Sequence, residues 1–168
     1  VGVLLEPIAL YHRKDLAAGY AAPLTWEGAT PGLGECALHP GDTGRRGEVL
    51  VVTFGNGVPM TFGALRRPEA DGLAGRVDVV DLRWVAPLPE EDLLRHAAAY
   101  PAVLVVDETR RSGGVSEGAV TALVDGGYEG RVRRVTSVDS VIPLGPSAAT
   151  VLLSEEDIVR GLRALLGR

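Results

Sequence analysis

Four short runs of mostly apolar, β-branched residues follow one another in the later part of the chain. They are Val49–Phe54, Val77–Leu82, Val103–Asp107 and Val132–Thr136. Continuous apolar runs of this length are typical of strands that are covered on both faces. The fourth run contains two arginines, so we predict that it lies at an edge of the sheet, where charged side chains can reach water.

Segments with the apolar spacing of helices separate and follow these runs. Pro68 is expected to stop or kink the first of them, because proline is poorly tolerated inside a helix. Ser154 is a candidate N-cap for the last, and acidic residues follow it in the first turn. Strands alternating with helices predict a three-layer α/β/α sandwich with mostly parallel strands and right-handed crossovers. The helical stripes are Val58, Phe62 and Leu65; Leu93, Leu94 and Ala97; Ala119, Val120, Leu123 and Val124; and Ile158, Leu162, Leu165 and Leu166.

The first part of the chain has a different character. Val3–Leu5 resembles the end of a buried strand, and the stretch from Gly19 to Gly34 is rich in Gly, Ala and Pro. Connectors of this length are uncommon inside a compact domain. The chain also begins without a methionine. We therefore expect residues 1–34 to be the end of a preceding domain and a connecting arm, in a chain cut from a longer protein.

Composition and charge exclude several classes of protein. Apolar residues make up 46% and charged residues 23% of the 168 residues, as in ordinary globular domains. The net charge of −5 argues against nucleic-acid binding, and no apolar run reaches the roughly 18 residues of a membrane span. Because Cys36 is the only cysteine, an internal disulfide and a cysteine-based zinc site are excluded. We predict a cytoplasmic location.

The most unusual stretch runs from Asp107 to Glu117. Two carboxylates end a buried run, and two arginines and a Gly-Gly pair then lead into a predicted helix. One interpretation is an anion site at the start of that helix. The other, which we favour, is a capped helix start whose charges pair with one another or face a partner subunit. The candidate interface or anion site comprises Arg83, Asp107, Glu108, Arg110, Arg111, Ser112, Gly113, Gly114 and Ser116.

A second candidate follows the first predicted strand. Gly55 and Gly57 open a helix, and Asp81 closes the next strand at a spacing that suits a dinucleotide-binding loop. Met60, however, stands where the third glycine of that motif is needed, so a tight turn is the other interpretation. The three histidines lack metal-ligand spacing, and no Gly-x-Ser-x-Gly or Walker-type loop is present. We therefore assign no catalytic, cofactor-binding or metal-binding residue, and keep a stand-alone nucleotide-binding (Rossmann-like) or regulatory domain as an alternative function.

Several segments taken in order resemble one family. They are Asp81–Pro89, Val103–Glu108, Arg111–Gly114, Ile142–Gly145 and the helix start Ser154–Ile158. This order is similar to that of the C-terminal domain of the transketolase superfamily. The nearest version is the β subunit of the thiamine diphosphate-dependent 2-oxoacid dehydrogenases of the pyruvate and branched-chain types. The resemblance covers residues 30–168 well and the first 30 loosely.

The resemblance implies a mixed five-strand sheet with one antiparallel edge strand, which we assign to Glu35–His39, in a domain spanning residues 35–168. It also implies an assembly or dimerisation domain. The family's catalytic glutamate lies in the pyrimidine-binding domain, and its Gly-Asp-Gly and Asn motif for diphosphate and metal is not matched by Asp125–Gly127. We thus expect thiamine diphosphate and Mg²⁺ in the parent enzyme and neither on this chain alone. The implied partners are pyrimidine- and diphosphate-binding domains, a second copy, and an acyltransferase component.

Overall fold

A five-stranded sheet lies at the centre of the fold in the computed structural model, which describes residues 1–11, 32–41 and 45–167. The strands are β1 (Ala37–His39), β2 (Val49–Thr53), β3 (Val77–Asp81), β4 (Ala102–Arg110) and β5 (Arg131–Ser137). Their order across the sheet is β1-β3-β2-β4-β5. All neighbouring pairs are parallel except β1 and β3, which are antiparallel. The predicted mixed sheet with one antiparallel edge strand is therefore confirmed.

Helices cover both faces of this sheet. They are α1 (Gly57–Leu65), α2 (Glu90–Ala97), α3 (Val115–Asp125) and α4 (Glu155–Leu166), with short 3₁₀ turns at Ile8–Leu10, Pro68–Ala70, Ala74–Arg76 and Gly145–Thr150. One core cluster joins α1 and α4 to the sheet, and another joins α2 and α3 to the opposite face. Successive strand residues point to opposite faces, so Val51 enters the first cluster and Leu50 the second. Two covered faces explain why the central strands are apolar without alternation.

Local sequence signals set the ends of two helices as predicted. Helix α1 ends at Leu65, and Pro68 begins a 3₁₀ turn instead of continuing the helix. At the start of α4, the Ser154 hydroxyl accepts a 3.2 Å hydrogen bond from the Asp157 backbone N–H. The Ser154 backbone N–H donates in turn to the Asp157 carboxylate at 2.9 Å. This reciprocal capping box satisfies two backbone donors that a helix start otherwise leaves unpaired.

The strand order determines where side chains from distant segments meet. Strand β2 lies between β3 and β4, and the helices that follow β2 and β4 lie on opposite faces of the sheet. Such a reversal opens a crevice between the carboxyl ends of two parallel strands. Here that crevice lies between the ends of β2 and β4. The predicted connector at Gly19–Gly34 lies mostly outside the described residues. Within the described ranges no helix is long and apolar enough to cross a membrane.

Candidate functional site

A side-chain hydrogen bond joins the ends of β2 and β4 across the crevice. The amide nitrogen Nδ2 of Asn56 donates to Oε2 of Glu108 at 2.8 Å, and it also lies 3.4 Å from the sulfur of Met60. Both side chains are therefore engaged within the chain. This contact joins residues 52 positions apart, and the spacing of the motifs did not reveal it.

The carboxylate of Asp107 caps the start of α3. It is fully buried, and its two oxygens accept 2.8 Å hydrogen bonds from the backbone N–H groups of Thr109 and Ser116. A Cβ atom on Gly114 would lie 2.8 Å from Asp107 Oδ2, so the chain passes too close for a larger residue. An internal carboxylate thus occupies the position at the helix start where an external anion would bind. This geometry agrees with the capped helix start that we favoured.

The loop between β4 and α3 is fastened to the segment that follows β5. The backbone N–H and the hydroxyl of Ser112 donate to the two oxygens of Asp139 at 2.8 and 2.7 Å. These hydrogen bonds hold the pKa of the Asp139 carboxyl below its usual value. Arg110 Nε donates to the carbonyl oxygen of Ser112 at 3.0 Å, and the Gly113 N–H donates to Glu117 at 2.9 Å. The loop is therefore ordered by its own polar groups.

Of the other predicted site residues, Ser116 lies buried within that arrangement and Arg83 lies apart from it. Ser116 is fully buried, and its hydroxyl has no hydrogen-bond partner within the described part of the chain. Burial in the packed start of α3 keeps it from acting as an accessible nucleophile. Arg83 is exposed, has a positive φ of 56°, and donates its backbone N–H to Asp81 at 3.1 Å. It lies at the same edge of the sheet, but β2 separates its strand from β4.

The remaining arginine of the predicted set, Arg111, is exposed beside Ser112. Its backbone N–H contributes to the low pKa of Asp139. The structure therefore brings residues 107–116 together as one ordered loop and helix start, with Arg83 at a distance. Whether this group also contacts another molecule stays a prediction.

The glycine turn after β2 has intramolecular partners. Gly55 has a φ of 54°, which requires a residue without a side chain in the way. A Cβ atom there would lie 3.4 Å from Cγ of Pro7, so the N-terminal segment lies against this turn. Asn56 is bound to Glu108 and Asp81 to the Arg83 N–H. The geometry supports the tight-turn interpretation over a loop open to a dinucleotide.

An exposed apolar surface beside the crevice was missed by the sequence analysis. Val138, Val141, Ile142 and Leu144 are 53%, 90%, 59% and 97% exposed, and we refer to them as the 138–144 surface. A groove of about 660 Å³ separates part of this surface from Val151, Leu152 and the end of β4. The sequence does show apolar residues around Pro143, but by themselves they do not reveal that these side chains are exposed. They contribute to the sequence analysis only as one of the motifs of the family resemblance.

The described residues do not fit a metal-bound diphosphate group. Over residues 1–11, 32–41 and 45–167, no group of three or more His, Cys, Asp or Glu side chains could hold a metal ion. Asp125 is exposed at the end of α3, and a side chain on Gly126 would collide with Leu94. Since diphosphate is usually held through Mg²⁺ and carboxylate oxygens, we derive no chemical step through thiamine diphosphate on this chain.

Comparisons with known proteins agree with this architecture. The family model for the transketolase C-terminal domain matches residues 43–158. The chain is 25% identical over 165 residues to the pyruvate dehydrogenase E1 component subunit beta of Bacillus subtilis, covering 96% of this chain and 49% of that protein. It is 30% identical over a 172-residue alignment to the 1-deoxy-D-xylulose-5-phosphate synthase of Bordetella pertussis, covering 88% of this chain and 28% of that enzyme.

A solved structure has a similar fold. It is a split gene transketolase in the form of an inactive β4 tetramer, with a TM-score of 0.65 and 23% identity, covering 80% of this chain and 43% of that one. The chain thus spans about half or less of the length of each relative described.

Proposed function

The chain belongs to the transketolase C-terminal domain family, and we propose that it acts as the assembly domain of a thiamine diphosphate-dependent enzyme. In this proposal the parent enzyme is a 2-oxoacid dehydrogenase of the pyruvate dehydrogenase β-subunit type, located in the cytoplasm. The chain itself carries out no chemistry. The catalytic glutamate and the groups that bind thiamine diphosphate and Mg²⁺ belong to its pyrimidine- and diphosphate-binding partners.

The 138–144 surface is the observation that carries the proposed assembly role. Four apolar side chains of one segment are more than half exposed to water, and removing such area from water favours association. The segment is also held in place, because Asp139 binds Ser112 and the Val138 N–H donates to the Val151 carbonyl oxygen at 3.0 Å. An ordered apolar surface loses little conformational entropy when a partner binds it.

The hydrogen bonds at the carboxyl ends of the parallel strands support the same proposal. Asp107, Glu108, Asn56 and Asp139 all accept or donate hydrogen bonds within the chain. These hydrogen bonds hold the loops rigid, and a rigid surface is well suited to recognition by another subunit. The structurally similar split gene transketolase is a β4 tetramer, and a corresponding association of this chain with a second copy is what we expect.

Sedimentation equilibrium of the 168-residue chain at several concentrations tests the assembly role. We expect reversible self-association that V141K/L144K abolishes, because lysines on both sides of a symmetric contact repel and must be desolvated. Val124 is an exposed apolar residue on α3, so V124K is the matched control and should associate like the wild type. A chain that stays monomeric throughout, or equal weakening by V124K, would refute the proposed surface.

The type of parent enzyme needs a separate test. The alignment with the pyruvate dehydrogenase β subunit covers more of this chain, whereas identity with the 1-deoxy-D-xylulose-5-phosphate synthase is higher. That synthase class is therefore the second candidate parent. Calorimetric titration with the acyltransferase component of a pyruvate dehydrogenase complex separates the two. We expect binding to this chain, and an absence of heat would favour the synthase-type parent.

A further inference from the structure

Strand β5 lies at an edge of the sheet formed by the described strands. It pairs with β4 on one side, and no described strand follows it on the other. The Arg131 N–H points toward β4, since it donates to the Pro101 carbonyl oxygen at 3.0 Å. Backbone groups alternate in direction along an extended strand. Those of Val132, Arg134 and Thr136 therefore point outward, as a ready template for another strand.

Positive charge accompanies this open edge. Arg131 and Arg133 are exposed and lie on the same face of β5, two residues apart. Neither forms an ion pair within residues 1–11, 32–41 and 45–167. Arg134, which points to the other face, pairs with Glu117 at 3.6 Å. Two arginines without an ion-pair partner among the described residues are a local exception in a chain of net charge −5.

We propose that the outer edge of β5 binds an extended acidic segment of a partner protein by strand addition. The partner's backbone would pair with the outward groups of Val132, Arg134 and Thr136. Its acidic side chains, spaced two residues apart, would face Arg131 and Arg133. Main-chain hydrogen bonds provide affinity in this mode of recognition, and alternate side chains provide specificity. The site differs from the 138–144 surface, so it adds a second partner to the proposed assembly domain.

The test uses the full 168-residue chain and fluorescently labelled heptapeptides. The acidic probe is Thr-Glu-Val-Glu-Val-Glu-Thr, and a second peptide replaces each Glu by Lys. A third peptide keeps the acidic residues but carries N-methyl groups on alternate backbone amides. In fluorescence anisotropy we expect the acidic probe to bind at least about tenfold more tightly than either of the others, because charge sets preference and backbone pairing sets affinity.

Charge reversal at the arginines locates the site. R131E/R133E should weaken the acidic probe by about tenfold or more, whereas R66E, an exposed arginine at the end of α1, should leave its binding unchanged. Circular dichroism confirms that each variant is folded. In the wild type, the bound probe should also slow hydrogen exchange at Val132, Arg134 and Thr136.

Each contrary result overturns the proposal. Equal binding of the N-methylated peptide would show plain charge attraction, and equal weakening by R66E would show that the site lies elsewhere. No binding of the acidic probe, with aggregation of R131E/R133E, would show that the arginines only prevent edge-to-edge pairing. Because V141K/L144K leaves β5 intact, this test can fail while self-association is observed, and the reverse also holds.

Discussion

The surroundings of Cys36 suppress the reactivity of its thiol. Its thiol lies near Asp92, and the Asp92 carboxylate is also 3.6 Å from Nε2 of His96. Cysteine, histidine and aspartate together form nucleophilic sites in other proteins. Here burial and the neighbouring Asp92 carboxylate raise the pKa of the thiol to about 12. Burial also lowers the pKa of His96. The Asp92 carboxylate instead accepts the Cys36 backbone N–H at 2.7 Å. The cluster therefore anchors the start of β1 to α2 and does not activate a nucleophile.

We predict that Cys36 resists alkylation in the folded chain. At pH 8 a thiol with a pKa of about 12 is ionised about a thousandfold less than an ordinary cysteine, and the thiolate is the reactive form. Mass spectrometry after iodoacetamide treatment should show slow modification in buffer and rapid modification in urea. Equally fast modification in both conditions would contradict the assigned environment.

The same shift makes stability depend on pH in a defined direction. Since the folded pKa lies above the unfolded value of about 8.5, the unfolded state releases its proton first as pH rises. The free energy of unfolding should therefore fall between about pH 8.5 and 10, before tyrosines ionise. Cys36→Ser cannot ionise in this range and should show a flatter dependence in urea titrations.

At the scale of the element, two glycines, one at the N-cap of α3 and one inside it, have opposite requirements. A Cβ atom on Gly114, at the N-cap, would lie 2.6 Å from the Thr109 hydroxyl and 2.9 Å from the Arg110 carbonyl oxygen. One on Gly118, inside the helix, would meet only Leu88 at 3.8 Å. Neither glycine has a positive φ. Gly114 is required because the β4–α3 loop leaves no room for a Cβ atom there. At Gly118 a Cβ atom fits, so an alanine can replace the glycine.

We predict opposite effects for alanine at these two positions. Gly114→Ala forces the loop away from Asp107 and should lower the free energy of unfolding by about 1–3 kcal/mol, as overpacking does. Gly118→Ala reduces the freedom of the unfolded chain and should raise it by about 0.5–1 kcal/mol. Urea denaturation followed by circular dichroism measures both. Two changes of the same sign would show that helix propensity, and not the close approach at Gly114, decides the outcome.

At the scale of the whole molecule, buried polar groups order the loops at both ends of the strands. At the amino edge, the buried Asp78 carboxylate accepts hydrogen bonds from Gly41, Gly47 and the Tyr100 hydroxyl at 2.6, 2.8 and 2.7 Å. At the carboxyl edge, the buried Asp107 carboxylate has a comparable role. Buried carboxylates satisfied in this way order loops. Among the accessible surfaces of the described residues, the one at residues 138–144 is apolar and the one along β5 is basic.

We predict that the isolated chain gains no stability from small cofactors. Thiamine diphosphate with Mg²⁺, and separately NAD, should leave the melting temperature unchanged. A ligand at about 100 times its dissociation constant would stabilise the fold by roughly 2.7 kcal/mol, or about 5–10 °C. A shift of that size with thiamine diphosphate would contradict the assignment of cofactor binding to partners. With NAD it would support the nucleotide-binding alternative, and Asp81→Ala should then remove it.

The sequence alone determined the strands and helices that form the three layers of this protein, because the signals for these elements are local. Apolar runs marked β2, β3 and β4, the arginines marked β5 as an edge, and Pro68 and Ser154 marked helix ends. Such signals depend on a residue's own geometry and on neighbours a few positions away. The family resemblance added an antiparallel edge strand at Glu35–His39, where weak alternation alone left the strand open. In the structure the strand begins two residues later and spans Ala37–His39.

Only the tertiary structure decided which side chains meet at the carboxyl edge. Asn56 reaches Glu108 and Ser112 reaches Asp139 because strand pairing brings segments distant in sequence together. Pro7, which belongs to no strand, also lies against Gly55. The exposure of Val141 and Leu144 likewise depends on what packs above them. An apolar side chain is favoured in the interior, and its sequence position shows this. Only the tertiary structure shows whether other residues bury it.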